Sequence, residues 1–445
     1  MLKLPKNVED FLEKFKKNNF QIYIVGGAVR NLLLEKEIYN WDFATDATPE
    51  QIQKAFSDSF YNNKYGTVTV SLDEKILFEI TTFRKESDYK DKRHPDKVTW
   101  AKTIEEDLSR RDFTINAIAY DGEEIIDPFD GQKDLKNKVI RAVGNPDERF
   151  SEDALRLIRA IRFASQLGFF IEEKTRLSIQ KNALLITKIS WERIRDELLK
   201  ILGSNNPTEG ILFLRNTGLL TFILPELDLC FIIPQKSPKR HHIYDVGTHS
   251  IMSLKNCPSK DVITRLATLL HDIGKAKTFR KDEKSGLITF YNHEVVGEKL
   301  NRDIADRLRL SNKQKNKLTK LVRLHQFTVA EIITDKAIRR FIREVGPDNL
   351  ENIIDLRIAD RIGSGAKPTS WRFELFKKRL VDVQKKPFAI TDLKINGRDV
   401  MKILQLKPGP KVGEILKDIF NDVEEGRLKN ERKILLSRLR DLDKQ

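Results

Sequence analysis

The sequence predicts an α+β chain, a mixed-sheet head followed by an all-helical remainder, and three observations carry that prediction. Up to about Val143, short β-type runs bounded by turn residues dominate. After Asn145-Pro146 the apolar spacing switches to long helical periodicity. At 445 residues with 40% hydrophobic content, the chain is also too long for one compact core, so two to four domains are expected. We place the head at residues 1–144, a helical neck at 145–235, a His-bearing helical body at 236–386 and a basic helical tail at 387–445.

In the head, Gln21 to Val25, Gly66 to Leu72, Lys75 to Thr81 and Glu124 to Asp127 read as strands, and Asp73-Glu74 between two of them reads as a hairpin turn. Ser151 is the expected cap of the first neck helix, with acids in its first turn and Gly168 as its stop. A Pro- and Lys-rich loop, Pro234 to Arg240, opens the His-bearing segment, which runs to about Gly365. Lys386-Pro387 and Lys407-Pro408-Gly409-Pro410 punctuate the end of the chain. No internal repeat or low-complexity tract stands out.

Composition narrows the function. No apolar run approaches the roughly 18 to 20 residues that span a bilayer, and Met1 to Lys17 is charged and amphipathic without a signal-peptide pattern. A soluble, cytoplasmic protein without a membrane partner is expected. Two cysteines, Cys230 and Cys257, supply neither a disulfide framework nor a metal-ligand spacing, and read as buried thiols in a reducing compartment. The net charge of +15 favours a polyanionic partner, because Lys and Arg gain affinity by releasing counterions from phosphates. Ala366 to Gln445 carries 20 basic against 12 acidic residues, a net +8, so over half of the excess lies at this end. That end is the candidate RNA grip, although solvated faces of helical hairpins give the same composition.

The chemistry starts at Ile24-Val25-Gly26-Gly27-Ala28-Val29-Arg30. A strand ending in Gly26-Gly27 lets backbone N–H groups approach a triphosphate, with Arg30 on the following helix to neutralise charge. A diglycine alone equally describes a tight strand-to-helix turn. Asn40-Trp41-Asp42 changes that, since residues 40 and 42 of an extended segment share a face, and Glu79 adds a carboxylate on a later strand. Two aligned positions plus a third acid form a layout for two Mg²⁺ ions in phosphoryl transfer.

These segments, with Arg110-Arg111-Asp112-Phe113-Thr114-Ile115-Asn116-Ala117 and Glu152-Asp153-Ala154-Leu155-Arg156, occur in the order found in bacterial class II tRNA nucleotidyltransferases. The chain resembles that family, the CCA-adding enzyme and poly(A) polymerase group, over nearly its whole length. The resemblance continues through Asp392-Leu393-Lys394-Ile395-Asn396-Gly397 and Lys407-Pro408-Gly409-Pro410. It implies a DNA polymerase β-like nucleotidyltransferase head, a two-Mg²⁺ site on Asp42, Asn40 and Glu79, and CTP and ATP as substrates. Arg111 and Asp112 then contact triphosphate and ribose, with Gly26, Gly27 and Arg30 as the cradle. Asp153, Arg156 and Arg159 recur at i+3, so they share a broad helix stripe from which Arg162 drifts away. Asp153 accepts from an exocyclic amino group and Arg156 donates to the neighbouring ring nitrogen. Cytosine and adenine share that pattern, whereas uracil and guanine present a carbonyl to the carboxylate.

Family members normally carry Asp where this chain has Asn40, and usually Asp at Asn31 and Gly at Glu35. Asn40 removes a negative charge and the anionic oxygens of a carboxylate, a change worth on the order of a hundredfold in rate for two-metal catalysis. The expectation is an active but metal-sensitive transferase.

A second cluster lies in the body. Of seven histidines, His249, His271, His293 and His325 fall in one helical segment together with Asp272 and Asp360. His271-Asp272-Ile273-Gly274-Lys275, at the end of an apolar helix begun at Leu266, and Ile358-Ala359-Asp360-Arg361 resemble the HD-domain phosphohydrolase pattern. Mixed imidazole and carboxylate ligands suit Mn, Ni, Fe, Co or Zn, or a site that accepts Mg. The resemblance implies hydrolysis of 2′,3′-cyclic phosphates or phosphomonoesters on RNA ends.

The sequence is therefore read as a template-independent transferase adding CMP and AMP, or AMP alone, to the 3′ end of tRNA, with the tail gripping duplex RNA by shape and phosphate. Three readings remain beside it: a poly(A) polymerase, an HD-type hydrolase with a weakened head, and a non-catalytic RNA-binding protein.

Overall fold

The structure, a computed structural model, describes residues 2–61, 66–73, 76–87, 97–236, 244–385 and 389–443. It divides into two compact units, one comprising Met1–Leu229 with Ile304–Leu310 and the other Cys230–Asp303 with Ser311–Gln445. The head and most of the neck fall in the first unit, and the tail and all of the body but residues 304–310 in the second.

The head strands are β1 (Ile22–Val25), β2 (Asp42–Thr45), β3 (Ser59–Tyr61), β4 (Thr67–Asp73), β5 (Ile76–Thr82), β6 (Arg84–Ser87), β7 (Lys97–Trp100), β8 (Ala119–Tyr120) and β9 (Ile125–Ile126). Seven of them form one sheet in the order β3-β4-β5-β2-β1-β8-β9, and β6 with β7 makes a separate ribbon. Within the large sheet β2 and β5 run parallel while the other pairings are antiparallel, so the sheet is mixed as expected. The predicted hairpin is β4 with β5, whose register shifts between Ser71 and Asp73; Glu74 itself lies outside the described residues. One face is covered by the amphipathic helix Lys6–Lys17, where Phe11 stands 4.9 Å from the rings of both Phe43 and Phe78. Phe15 stacks on Phe56 at 5.0 Å. Each of these fully buried aromatics contributes roughly 1.5–3 kcal/mol by burial. The opposite face is closed over β1, β2 and β8 by the helix Ile104–Ser109, through Ile104 and Leu108 against Val25, Ala44 and Ala119. Over β5, β4 and β3 that face carries Glu79 and Leu77, both exposed, and the partly buried Thr67, Thr69 and Ser71.

The neck departs from the expectation at its start. Its first helix is Pro146–Glu152, capped by Asn145, whose side chain accepts from the Asp147 N–H at 3.1 Å. Ser151 lies inside that helix and is not a cap. The chain then extends at Asp153 (φ −131°, ψ 105°) and restarts as Leu155–Leu167, which stops at Gly168 in the left-handed region as predicted. The helices Glu173–Asn182, Trp191–Leu202 and Pro207–Asn216 complete most of the neck.

In the second unit the helices Val246–Lys255, Val262–Leu270, Asn312–Leu324 and Leu350–Gly363, with His293 opening a further helix, surround the His-bearing core. The helix expected from Leu266 begins a turn earlier, because the Asp261 carboxylate accepts from the Thr264 N–H at 2.8 Å and caps it. Lys386, Pro387 and the loop residues from Pro238 to Arg240 lie outside the described residues. The tail helices Gly397–Ile403, Pro410–Glu424 and Arg432–Asp443 share a small core of their own around Val400, Ile419, Leu435 and Leu439. Cys230 is buried and Cys257 partly so. No helix among the described residues is long and apolar enough to cross a membrane.

Candidate active site

β1 delivers the chain to Gly26, which adopts φ +65°, and the helix Gly27–Leu33 starts at once. Only glycine takes this conformation without strain, and a Cβ here would stand 2.9 Å from Arg111 Nη1. Gly26 is thus what lets the Arg111 guanidinium lie against the strand end. Arg30, one turn into the helix, donates through Nη1 to Asn116 Oδ1 at 2.7 Å. Burial lowers its pKa, so a buried cation waits there for an anion.

Asp42 opens β2 and pairs directly with Glu79 in the parallel ladder, which sets the two carboxylates side by side on one face. Asn40, exposed and two residues earlier, lines the same cavity as Asp42. Among the described residues no hydrogen bond or ion pair reaches the Asp42 carboxylate, and its pKa is raised by burial and then by the neighbouring charge of Glu79. The nearby charge of Arg111 only partly offsets these two adjacent acids, and a divalent cation would neutralise the rest, so the donor set of Asp42, Glu79 and the Asn40 amide oxygen fits Mg²⁺.

The neck supplies the facing wall. A cavity of about 630 Å³ is lined by Gly26, Gly27, Asn40 and Asp42 from the head and by Asp153, Arg156, Arg159 and Arg162 from the neck. Seven arginines and three aspartates line it, an excess of positive side chains suited to a triphosphate. Glu79 is not part of its lining.

Asp112 behaves differently from the expectation of a ribose acceptor. Its Oδ2 accepts from Arg159 Nε at 2.8 Å and Nη2 at 2.5 Å, while Oδ1 accepts from the Phe113 N–H at 2.9 Å and Asn116 Nδ2 at 3.1 Å. Every lone-pair position is used, so a ribose contact has to displace one of these donors. Burial opposes ionisation, yet the charge and hydrogen bonds of Arg159 hold the Asp112 pKa down to about 2. Asp112 therefore rivets the neck helix to the head.

Because the helix breaks at Asp153, that residue does not belong to the helical stripe. Its carboxylate instead caps Leu155, accepting from the N–H at 3.0 Å, and meets Arg193 Nη2 at 3.2 Å. Arg156 is 8% exposed and donates to Glu152 at 2.7 Å and to the carbonyls of Arg110 and Arg149 at 3.0 and 3.2 Å. Arg162 does not drift out of the site. It stacks 4.1 Å from the centre of the Phe163 ring and pairs with Glu197 at 2.9 Å, and burial lowers its pKa to about 10. Arg30 and Arg159 lie 5.3 and 5.4 Å from the same ring, so Phe163 gathers three guanidinium groups.

Sequence reasoning missed Phe163, Glu197, Arg193, Asn116 and Asp107. Asp107 is buried and pairs with Arg110 at 2.7 Å and Arg111 at 3.1 Å, which aims both arginines. The i+3 and i+4 spacing of 107, 110 and 111 was a signal for it; the other four act through contacts that no local pattern reveals.

The six predicted residues of the second unit converge. His249 Nε2 lies 3.3 Å from both Asp272 Oδ2 and Asp360 Oδ1, and His271 Nε2 lies 3.2 Å from Asp272 Oδ2. His293 Nε2 and His325 Nε2 stand 3.3 and 3.7 Å from Asp272 Oδ1. In three rings Nδ1 is tied to a backbone carbonyl: His271 to Thr268 at 2.8 Å, His293 to Phe290 at 2.8 Å and His325 to Val322 at 2.7 Å. A carbonyl only accepts, so Nδ1 carries the proton and the Nε2 lone pairs face inward. The buried Nε2 atoms of His293 and His325 have no hydrogen-bond partner, which fits a cation at the centre. Lys275 Nζ, buried, donates to Asp272 Oδ2 at 2.6 Å and to Gln235 Oε1 at 2.7 Å. Gly274 permits the close approach of this loop to the next helix, since a Cβ there would stand 2.1 Å from the His293 carbonyl. A cavity of about 400 Å³ opens onto Asp272, His293, His325, Asp360, Lys275 and Arg357.

Comparison with known proteins matches three successive parts of the chain. Residues 22–141 match the family model for the poly A polymerase head domain, 168–230 that for a probable RNA and SrmB-binding site of polymerase A, and 282–439 that for a putative second domain of tRNA nucleotidyltransferase. A CCA-adding enzyme of Ligilactobacillus salivarius is 36% identical over 440 residues, covering 98% of this chain and 96% of its own length. One of Enterococcus faecalis is 36% identical over 434 residues, covering 97% and 95%. Among solved structures, the Bacillus stearothermophilus CCA-adding enzyme in complex with CTP superposes with a TM-score of 0.71 at 28% identity, covering 99% of this chain and 98% of that one.

Proposed function

The chain belongs to the family of CCA-adding enzymes, which are tRNA nucleotidyltransferases, and from that premise we propose how its own residues carry out the reaction. It transfers nucleotides from CTP and ATP to the 3′ end of tRNA. In each step the terminal 3′-oxygen bonds to the α-phosphorus, the bond from that phosphorus to the β-phosphate oxygen breaks, and pyrophosphate leaves.

The observation that carries the residue assignment is the single cavity uniting the diglycine turn, Asp42, the arginine wall and the Asp153–Arg156 pair. The backbone of Gly26 and Gly27, with Arg30 and Arg111, holds the triphosphate. Asp42, Asn40 and Glu79 hold Mg²⁺, which when bound screens the phosphates and lowers the pKa of the attacking hydroxyl. Asp153 accepts from the amino group shared by cytosine and adenine, and Arg156 donates to the adjacent ring nitrogen. Arg159 and Arg162, spaced by Phe163, narrow the base end of the cavity. This reading puts the basic tail on the tRNA and implies a cytoplasmic protein.

The test supplies labelled CTP or ATP with tRNAs ending at the discriminator base, at C and at CC, in Mg²⁺ or Mn²⁺. Stepwise addition stopping at CCA establishes full CCA synthesis with Asn40 in place. AMP added only to the CC end makes the protein an A-adding enzyme, untemplated lengthening makes it a poly(A) polymerase, and no addition refutes the assignment.

The inward-facing Nε2 atoms favour a second reading for the other unit, a divalent-metal phosphohydrolase acting on phosphorylated RNA ends. His249, His271, His293, His325, Asp272 and Asp360 are its ligands, with Lys275 and Arg357 supplying positive charge at the mouth. Release of phosphate from a 3′-phosphorylated RNA, or opening of its cyclic phosphate, that disappears in His271→Ala tests it.

A further inference from the structure

The register of the head sheet lines up one row of side chains across four strands. Asp42 pairs with Glu79, Glu79 with Thr69, and Thr69 with Phe60. Residues paired directly across strands stand on the same face, so the acids continue outward into Thr69 and Phe60. Leu77, two residues before Glu79 and paired with Ser71, stands beside that row.

The other face of these strands is packed, with Phe78, Ile80, Val68 and Val70 buried. A sheet buried on one side presents polar residues on the other, and Thr67, Thr69, Ser71, Glu79 and Thr81 follow that rule. Phe60 and Leu77 break it, at 66% and 61% exposed. A single exposed apolar side chain means little. Here two of them stand on one face, Phe60 on the row that carries Asp42 and Glu79 and Leu77 beside it.

The acids also divide the surface. The nucleotide cavity lies on the β1 and neck side and includes Asp42 but not Glu79. The acceptor hydroxyl has to reach the same acids from elsewhere, and the surface open to it is that of β5, β4 and β3. Phe60, Leu77, Thr69 and Ser71 offer no positive charge for phosphates on this surface, but an aromatic ring and an apolar side chain complement the face of a base. Phe60 is two strand spacings from Glu79, about 10 Å, a length spanned by roughly three stacked nucleotides.

We propose that Phe60 and Leu77 form a stacking platform for the unpaired 3′-terminal nucleotides of the acceptor RNA, which holds the terminal hydroxyl at Asp42 and Glu79. The platform rests on the transferase reading and adds to it the route by which the acceptor enters.

Steady-state AMP addition to tRNA ending in CC tests it, with the unaltered protein, Phe60→Ala, Leu77→Ser, the double variant and Phe60→Trp. Loss of one base stack raises the acceptor KM about fivefold to hundredfold. The expected pattern is that rise in Phe60→Ala, a smaller one in Leu77→Ser, an unchanged KM for ATP, and recovery in Phe60→Trp. Melting temperatures should hold, because both side chains stand in solvent. An acceptor KM within twofold of the original in the double variant overturns the platform while leaving the transferase intact. A change confined to self-association in sedimentation assigns the patch to a second copy of the chain and also overturns it. If the unaltered protein adds no nucleotide to any acceptor, the transferase reading fails and the platform fails with it.

Discussion

Asp112 and Arg159 join the head to the neck, and the strength of that joint can be worked out. Asp112 is 8% exposed and accepts two hydrogen bonds from Arg159, at 2.8 and 2.5 Å. Burial by itself would raise its pKa; the arginine reverses this and holds it at about 2, well below the usual carboxylate range. That depression corresponds to about 2–3 kcal/mol favouring the folded state at neutral pH. Because the folded pKa is depressed, this stabilisation is complete above about pH 4 and is lost as pH falls towards about 2. Asp112→Asn should therefore cost about 2–3 kcal/mol at pH 7, and the gap from the unaltered protein should narrow between pH 4 and 2.5. Urea unfolding followed by circular dichroism measures both. A cycle with Arg159→Met should return a coupling of about 2 kcal/mol. Coupling below about 0.5 kcal/mol, or a gap that stays constant down to pH 2.5, would refute the argument.

Asn40→Asp should raise kcat on the order of a hundredfold and lower the Mg²⁺ concentration needed for half-maximal rate; an unchanged Mg²⁺ titration would show that residue 40 does not reach the ion. Arg193→Ala frees the Asp153 carboxylate, so misincorporation of UTP and GTP should rise about tenfold while stability changes by about 1 kcal/mol or less. Primer extension with single nucleotides reads that ratio. Mn²⁺ or Ni²⁺ added to metal-free protein should raise its melting temperature by several degrees, and His271→Ala should abolish the rise. Gly274→Ala forces the loop away from the His293 carbonyl and should cost about 2–4 kcal/mol together with that metal response; a normal response would mean the loop and helix can part without disturbing the ligands.

Much of the site was legible because its parts are contiguous. Gly26 to Arg30 is a strand end, a turn and a helix start in one string, and its conformation follows from residue type alone. The histidine cluster was legible as a set, though not its inward aim, which depends on carbonyls of Thr268, Phe290 and Val322 at the ends of turns. The break at Asp153 was not legible. Glu152 to Arg156 has good intrinsic helix propensity, and the chain extends there because the Asp153 carboxylate caps the next helix and meets Arg193, forty residues away in sequence. Asp112 was read by its type, a lone acceptor, whereas Arg159 from the neck and Phe113 and Asn116 from the head fill it. The alignment of Asp42 with Glu79 likewise depends on a parallel pairing that no local spacing encodes.

That pairing sets how the head tolerates insertions and deletions. Asp42 and Glu79 are neighbours only because β2 and β5 are in step. Between Leu34 and Asn40, before β2 begins, a lost or gained residue changes loop length and leaves the step alone. One residue lost in β5 before Glu79 turns every following side chain to the other face and puts Ile80 where the carboxylate stood, and loss of Asp42 from β2 puts Phe43 in its place. Length variation among working relatives should therefore collect in the loops and avoid these two strands. The same property makes a single-residue deletion in β5 a sharper way to switch off the head than any substitution that leaves its core intact.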